Sequence, residues 1–372
     1  MIRILHVINS INMGGIQTTL INIMKKIDRK KVVFDFLVET DPNGDYAEQI
    51  KNLGGKIYYV TPRRESLYRN KKELNEFFKN HKEYNIVHMH VSSLTYITPL
   101  KVAKKYHVPV RIVHSRNTRQ GGSKLHKFIH AYNKLFIEKI ATHYFACSDL
   151  AGEWLYPKKL LTHDNYRIIN NGIDTKKFAF NEDVRKKMRQ ELSCGDDTCF
   201  VCVGRLHHQK NHMFLLDVFK KINDQNKATK LYLVGEGSLR EKIENRIKEL
   251  DLSDKVILLG NKSNINEILQ AMDMFLMTSF YEGLPGSVIE AQGAGLPCII
   301  SDSITKLVKV TNLVTFVSLN ESTTKWKEII LKKLKNTKRR NTRLELIKKG
   351  FDMNRISGNL QEFYLKTGEK LK

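Results

Sequence analysis

The stretch MFLMTSFYEGLPGSVIEAQGAGLPCIIS (274–301) decides the fold. Its opening, MFLMTS, is a run of apolar and β-prone side chains that reads as a strand ending near Ser279. Pro285 and Gly286 make a turn, and a helix of small residues follows at Ser287–Ala294. PCIIS (297–301) then returns to strand. So short a strand–helix–strand unit is a crossover, which makes its two strands parallel. The stretch also poses a chemical question. Glu282 falls in the loop and Glu290 in the expected first helical turn, around a tight turn in a chain with 63 basic and 39 acidic residues.

The same alternation extends in both directions. Strand patterns occur at RILHVIN (3–9), VVFDFLV (32–38), KIYYV (56–60), IVHMHV (86–91), VRIVHS (110–115) and HYFACS (143–148). They resume at CFVCVG (199–204), KLYLVG (230–235) and VILLG (256–260), before MFLMTS and PCIIS. Helical patterns lie between them, among them Gly15–Ile27, Asn211–Ile222 and Ser238–Leu250. Two such series, broken near NNGIDTKKF (170–178), predict an α/β protein of two Rossmann-like domains facing each other across a cleft. The first spans 1–172 and the second 173–353, with a last helix at about 354–372 returning to the first. Ligands of such sheets bind beyond the carboxyl ends of the strands, so the loops there are the places to look.

Length and composition agree with two folded domains: 372 residues, 41% hydrophobic and 27% charged. No stretch approaches the ~18 apolar residues of a membrane span. The start, MIRILHVINSINMGG, lacks the pattern of a signal peptide, so a cytoplasmic protein is expected. Five cysteines, an odd number, are read as free thiols. Cys199 and Cys202 fall on opposite faces of one strand, which favours core positions over a redox or zinc pair. The net charge is +24. Residues 1–172 hold 28 basic and 14 acidic side chains, the remainder 35 and 25, and the segment 326–349 alone has ten against two. A lysine-rich composition or an anionic membrane accounts for this better than nucleic acid, for which no binding motif is present.

Several loops carry candidate chemistry. INMGGIQTT (11–19) places Gly14 and Gly15 between a strand and a helix, either as a simple turn or as an approach for an anion to backbone amides. In CVGRLHHQKN (202–211), Gly204 ends a strand, Arg205 and Lys210 follow, and Asn211 is a plausible N-cap. The two cations can converge on a diphosphate, although spacing alone favours two solvated surface charges in a lysine-rich chain. LVGEGSLR (233–240) holds Gly235 and Gly237 without the third glycine of a dinucleotide site. In the opening stretch, amides near Gly286, Ser287 and Val288 would receive an anion. Glu290 would accept bonds from vicinal hydroxyls, or simply suit the helix dipole. His88 and His90 share one strand face and His114 ends the next strand, but no third and fourth zinc ligands are recognisable. No Asp-x-Asp occurs, which weighs against a metal-bridged nucleotide sugar. KLHKFIHAYNKLFIEKI (124–140) is amphipathic: its apolar residues either pack on the sheet or rest on an anionic membrane.

Taken together, these segments resemble glycosyltransferase family 4, the retaining enzymes of the GT-B fold, over nearly the whole chain. Glu282 and Glu290 within EGLPGSVIEAQGAGLP carry the most specific part of the likeness. GRLHHQKN, GGIQ, VHMH, HSRN, NGID and VGEGSLR fall in the family's order, and PCIISDSIT is similar to members that build bacterial capsular or extracellular polysaccharides. The resemblance implies that Arg205 and Lys210 hold the donor diphosphate, Glu290 the ribose, and Glu282 the donor sugar together with backbone from Leu284 through Pro285 to Val288. Gly260 and Asn261 would meet the base. Gly14 and Gly15 would close on phosphates and acceptor, and His114 would stand near the reacting sugar. Gln17, His88, His90 and Arg116 fall on the implied acceptor side, where Gln17 replaces a frequent Glu and Arg116 a frequent second His. The implied co-substrate is a nucleotide-diphosphate sugar, UDP before GDP, with no metal and no cofactor. The implied acceptor is a lipid-linked or growing oligosaccharide. A nucleotide-sugar epimerase and an inactive scaffold subunit of the same fold remain as alternatives.

Overall fold

The computed structural model describes residues 1–117, 123–336 and 338–370. Its strands are short, mostly β-branched or aromatic runs, as pleated and doubly covered surfaces require. The first sheet consists of β1 (Ile2–Val7), β2 (Val32–Val38), β3 (Ile57–Tyr59), β4 (Ile86–Val91), β5 (Val110–Ser115), β6 (His143–Ala146) and β7 (Tyr166–Ile168). They lie in the order β3-β2-β1-β4-β5-β6-β7. The second consists of β8 (Thr198–Val203), β9 (Thr229–Val234), β10 (Val256–Gly260), β11 (Met274–Met277), β12 (Cys298–Ser301) and β13 (Val314–Val317), ordered β10-β9-β8-β11-β12-β13. The strand pairs of both sheets are parallel. The edge strands β7 and β13 are not among the sequence patterns. Each is only three or four residues long and lies at a sheet edge, β7 with mostly half-buried or exposed side chains.

The chain divides into two units. One is Met1–Gly172 with Met353–Lys372, the other Ile173–Asp352. In the first, Ile4, Leu20, Phe34, Ile86 and Phe145 form one core with Met353, Leu360 and Tyr364 of the terminal helix Met353–Glu369. Residues 371–372 of the expected last helix lie outside the described residues. In the second, Phe200, Leu216, Phe219, Met274, Ile299 and Trp326 make the core. Burying each large apolar side chain stabilises by about 1.5–3 kcal/mol. Asp35, in the middle of β2, is fully buried but satisfied. It accepts bonds from Arg3 Nε at 2.6 Å, the Tyr84 hydroxyl at 2.7 Å and the Lys56 amide at 2.6 Å, so it is a structural acid. The five cysteines are buried and free.

Candidate active site

Three strand-end loops of the second unit close on one another through glycine. Gly235 has φ +138°, and a Cβ there would lie 2.2 Å from the Gly204 carbonyl. Its amide donates to the Gly260 carbonyl at 2.9 Å. A Cβ on Gly237 would reach 2.4 Å from the Leu206 carbonyl. The glycines of LVGEGSLR therefore serve close backbone packing. Gly260 is also left-handed, at φ +69°, and Asn261 beyond it is exposed.

A Cβ on Gly204 would meet Lys210 Cε at 2.7 Å, so glycine there lets the lysine fold back over the end of β8. Lys210 Nζ lies 2.8 Å from Glu282 Oε1, with both side chains mostly buried. The two residues assigned separately to diphosphate and sugar are thus ion-paired. Further bonds bind their loops together: Gln209 Nε2 donates to the Tyr281 carbonyl at 2.8 Å, and the Thr278 hydroxyl to the Asn211 carbonyl at 3.0 Å. Asn211 precedes the helix His212–Gln225 in a left-handed conformation, and its side chain makes no cap, contrary to the expected role. Arg205 is exposed and forms no ion pair among the described residues.

The helix after the Gly-Leu-Pro-Gly turn runs Gly286–Gly293, one residue earlier than expected. Glu290 is therefore its fifth residue and no acid lies in its first turn. The dipole reading of Glu290 loses its basis, because that effect fades beyond the first turn. Of the three expected anion-binding amides, Val288 donates back to the Pro285 carbonyl at 3.2 Å, and its side chain is fully buried. Gly286 and Ser287 keep amides without a partner among the described residues, Leu284 and Pro285 are buried, and the space around Gly286 is open. Glu290 is half-buried, and its carboxyl has no hydrogen bond or ion pair among the described residues. Burial pushes its carboxyl up to about 7, with Lys177 pulling the other way. A poorly solvated carboxyl without a side-chain partner, on a helix that opens with free amides and within the influence of Lys177, is a mark of a ligand site.

In the first unit, Gly14 precedes the helix Gly15–Lys26, which has no side-chain cap, and the space at Gly15 is open. Gln17 donates to the Ser10 carbonyl at 2.8 Å. His88, His90 and His114 are buried, and the register adds a residue the sequence reading missed. His6 on β1 pairs with His88, and His90 with His114. His6, His88 and His90 offer ligand atoms within 4.8 Å of one another, so the expected lack of a third ligand is corrected. The hydrogen bonds nevertheless argue against a cation. Arg116, which can only donate, gives its Nε–H to His90 Nδ1 at 3.1 Å. His90 then carries its proton on Nε2 and passes it toward His6 Nδ1 at 2.9 Å. A metal on His90 Nε2 would require an imidazolate. In the second chain of bonds, Tyr364 meets His88 Nδ1 at 2.7 Å and His88 Nε2 meets His114 Nδ1 at 3.0 Å. Burial lowers all four imidazole pKa values, so the rings stay neutral. It also pushes Arg116 down to about 10.

The helix Lys124–Phe136 is amphipathic in the inverted sense. It buries His130 and Asn133, bonded to the amide and the carbonyl of Leu94 at 3.1 and 2.7 Å. Leu125, Phe128, Tyr132, Leu135 and Phe136 are exposed. Packing against the sheet therefore does not account for its apolar residues.

The chain matches the family described as Glycosyltransferase Family 4 over residues 13–177 and that described as Glycosyl transferases group 1 over 183–352. It is 33% identical to a Bacillus subtilis protein named as glycosyltransferase EpsF, over 99% of this chain and 97% of the relative. It is 28% identical to an Escherichia coli UDP-Gal:alpha-D-GlcNAc-diphosphoundecaprenol alpha-1,3-galactosyltransferase, over 81% and 79%. The capsular polysaccharide biosynthesis glycosyltransferase CapH of Staphylococcus aureus is 26% identical over 82% and 81%. Among solved structures, Anabaena Alr3699/HepE in complex with UDP and glucose superposes with a TM-score of 0.79 at 17% identity, over 98% and 99% of the two chains. Full-length likeness of this kind, on two parallel α/β units with these strand-end residues, places the chain in glycosyltransferase family 4, with the GT-B fold.

Proposed function

We propose that the protein moves a sugar, with retention, from a UDP-sugar to a lipid-linked or growing glycan in bacterial surface-polysaccharide synthesis. The observation that carries this reading is Glu290, a carboxyl raised by burial with Lys177 as the one cation acting on it, on the helix whose Gly286 and Ser287 amides are free, in the same unit as the Lys210–Glu282 pair. The relatives' names, one of them a UDP-galactose transferase to a diphospholipid-linked sugar, support the donor and acceptor classes. Glu290 accepts the ribose hydroxyls. Arg205 and Lys210 bind the diphosphate, and Lys210 divides its bonds between phosphate and Glu282, which turns to the donor sugar's hydroxyls. Gly260 and Asn261 meet the base. The bond from anomeric carbon to phosphate oxygen breaks and its electron pair leaves on the nucleotide. An acceptor hydroxyl bonds to the same face and its proton passes to the departing phosphate oxygen. The protein's part is positioning and stabilisation of charge on the leaving group, with no metal taking part. Gly14, Gly15, Gln17, His88, His90, His114 and Arg116 belong to the acceptor half. A thermal-shift and donor-hydrolysis screen across UDP- and GDP-sugars tests this. Stabilisation by UDP-sugars alone is expected, and no response to any nucleotide sugar would end the reading. Release of an epimerised free sugar would turn it to an epimerase.

No described helix is long and apolar enough to cross a membrane. The exposed stripe Leu125, Phe128, Tyr132 and Leu135, flanked by Lys124, Lys127 and Lys139, suits the surface of an anionic bilayer, where a lipid-linked acceptor resides. Flotation with anionic vesicles at low salt is expected for the native chain and is expected to be lost in Phe128→Glu. An unchanged flotation profile would rule out this helix as the contact.

A further inference from the structure

At the carboxyl ends of β1, β2 and β4 the first unit holds a cavity of about 230 Å³. Val7, Leu37 and Val91 give it apolar walls, and Glu39, Arg63 and Tyr96 give it polar ones. The polar groups are fixed from behind by Asn70, on the helix Leu67–Asn80, which is almost completely buried. Asn70 Nδ2 donates to the Thr61 carbonyl at 2.7 Å, and a carbonyl only accepts, so the amide's orientation is set. The same Nδ2 reaches Glu39 Oε1 at 3.1 Å, while Asn70 Oδ1 accepts the Tyr96 hydroxyl at 2.7 Å. Arg63 lies over the Tyr96 ring, 4.8 Å from its centroid. The Tyr96 hydroxyl also faces the Glu39 carboxylate, whose two oxygens keep accepting capacity beyond these contacts. A buried amide that holds a carboxylate and a tyrosine at the wall of a cavity is a pre-organised recognition device.

The chemistry of the cavity selects among ligands. Its volume of about 230 Å³ suffices to seat one ring. Glu39 repels a phosphate. Arg63 covers the face of Tyr96, so a base has no bare aromatic platform there. A carboxylate with lone pairs to spare, set among apolar walls, suits a sugar ring that presents adjacent hydroxyls and an apolar face. We propose that this cavity holds the terminal sugar of the acceptor, and that Glu39, kept in place by Asn70, reads two of its hydroxyls. Gln17 and His90 line the same cavity. The proposal deepens the transferase reading and rests on it.

The test titrates the full chain, with UDP present, with methyl glycosides of glucose, galactose and N-acetylglucosamine, followed by saturation-transfer NMR and calorimetry. At least one glycoside is expected to bind. Glu39→Gln, which keeps the shape and the Asn70 bond, should weaken it about tenfold or more and leave UDP affinity within about twofold. Tyr96→Phe, which keeps the ring under Arg63, should weaken it about threefold. Deoxygenating either hydroxyl of the bound glycoside should cost affinity in the native chain but not in Glu39→Gln. Equal glycoside affinity in native chain and Glu39→Gln overturns the proposal, as does a chain that binds UDP and no glycoside. A chain that binds glycoside through Glu39 but no nucleotide keeps the sugar site and ends the transferase reading. Loss of both ends both.

Discussion

The histidines of the first unit and the carboxylates of the second occupy corresponding places, in or just beyond the carboxyl halves of parallel strands, yet they meet the cost of burial differently. Most of the ring nitrogens of His6, His88, His90 and His114 bond to one another, to Arg116 or to Tyr364, and all four rings are kept neutral by burial. The cluster comes close to satisfying itself. In the second unit, Glu282 has Lys210, but the Glu290 carboxyl has nothing among the described residues and holds its proton to about 7. A buried polar group is costly unless something completes its bonds. Where the fold supplies the partner, the group is structure. Where it does not, the group is open to a partner from outside the chain, and for Glu290 the one proposed is the nucleotide.

The largest expected effect comes from breaking the paired half of the second site. Lys210→Ala should lower turnover at saturating donor by at least ~100-fold, the cost of removing a charge that stabilises the leaving group. It should also destabilise the fold by about 1–3 kcal/mol, because Glu282 is left mostly buried without its counter-ion. Lys210→Ala/Glu282→Ala should recover part of that stability and none of the activity. Urea denaturation with single-turnover assays measures both, and unchanged turnover in Lys210→Ala would remove it from the diphosphate.

Glu290 tests the unpaired half. Its carboxyl in the folded chain stands at about 7 against an ordinary 4.5, so the folded state holds a proton that the unfolded state releases. Stability is therefore lost as pH rises from about 4.5 to about 7 and stays lost above it. Glu290→Gln should stabilise the chain at pH 8 by about 1–3 kcal/mol and do nothing at pH 4. The same change should weaken UDP about tenfold at pH 8. Native UDP affinity should rise with pH through about 7, as the carboxylate that accepts the ribose hydroxyls forms. A stability gain equal at both pH values would mean that the carboxyl is not raised.

The comparison also explains what could be read from the sequence. Strands such as VVFDFLV and IVHMHV announced themselves because doubly buried parallel strands are continuous runs, while β7 (YRI) and β13 (VTFV) at sheet edges were not read. Glu282 and Glu290 stood out through the Pro-Gly turn between them, whereas Arg205 and Lys210, whose spacing alone favoured solvated charges, were picked out by the family resemblance. The sequence could not reveal that Lys210 bonds Glu282, since 72 positions separate them and only the parallel order β8-β11 brings their loops together. His6 was missed for the same reason: a single histidine in ILHVI becomes one of four only through strand register. The exposed apolar face of Lys124–Phe136 was legible as amphipathic, but which side faced the protein depended on His130 and Asn133 finding the backbone of Leu94.

The smallest expected effect tests whether the histidine cluster does more than satisfy itself. Tyr364 comes from the terminal helix, 276 positions beyond His88. Its hydroxyl meets no other described partner, so it is satisfied as a donor only by giving its proton to His88 Nδ1. That fixes the proton of His88 on Nε2, pointing to His114 Nδ1, and leaves His114 as the Nε2–H tautomer. This nitrogen is buried and has no hydrogen-bond partner in the described structure. His114 therefore presents a neutral donor, suited to an oxygen of the reacting sugar, and not a base. Tyr364→Phe should cost about 1 kcal/mol of stability, the value of one buried hydrogen bond. It should lower turnover several-fold with the KM for donor unchanged, because the proposed nucleotide site lies in the other unit. Nitrogen-15 NMR of labelled histidine should show His114 protonated on Nε2 in the native chain and divided between its nitrogens in Tyr364→Phe. A His114 tautomer that does not respond would reduce Tyr364 to packing. A tautomer that shifts while turnover stays constant would keep the relay and remove His114 from the reaction.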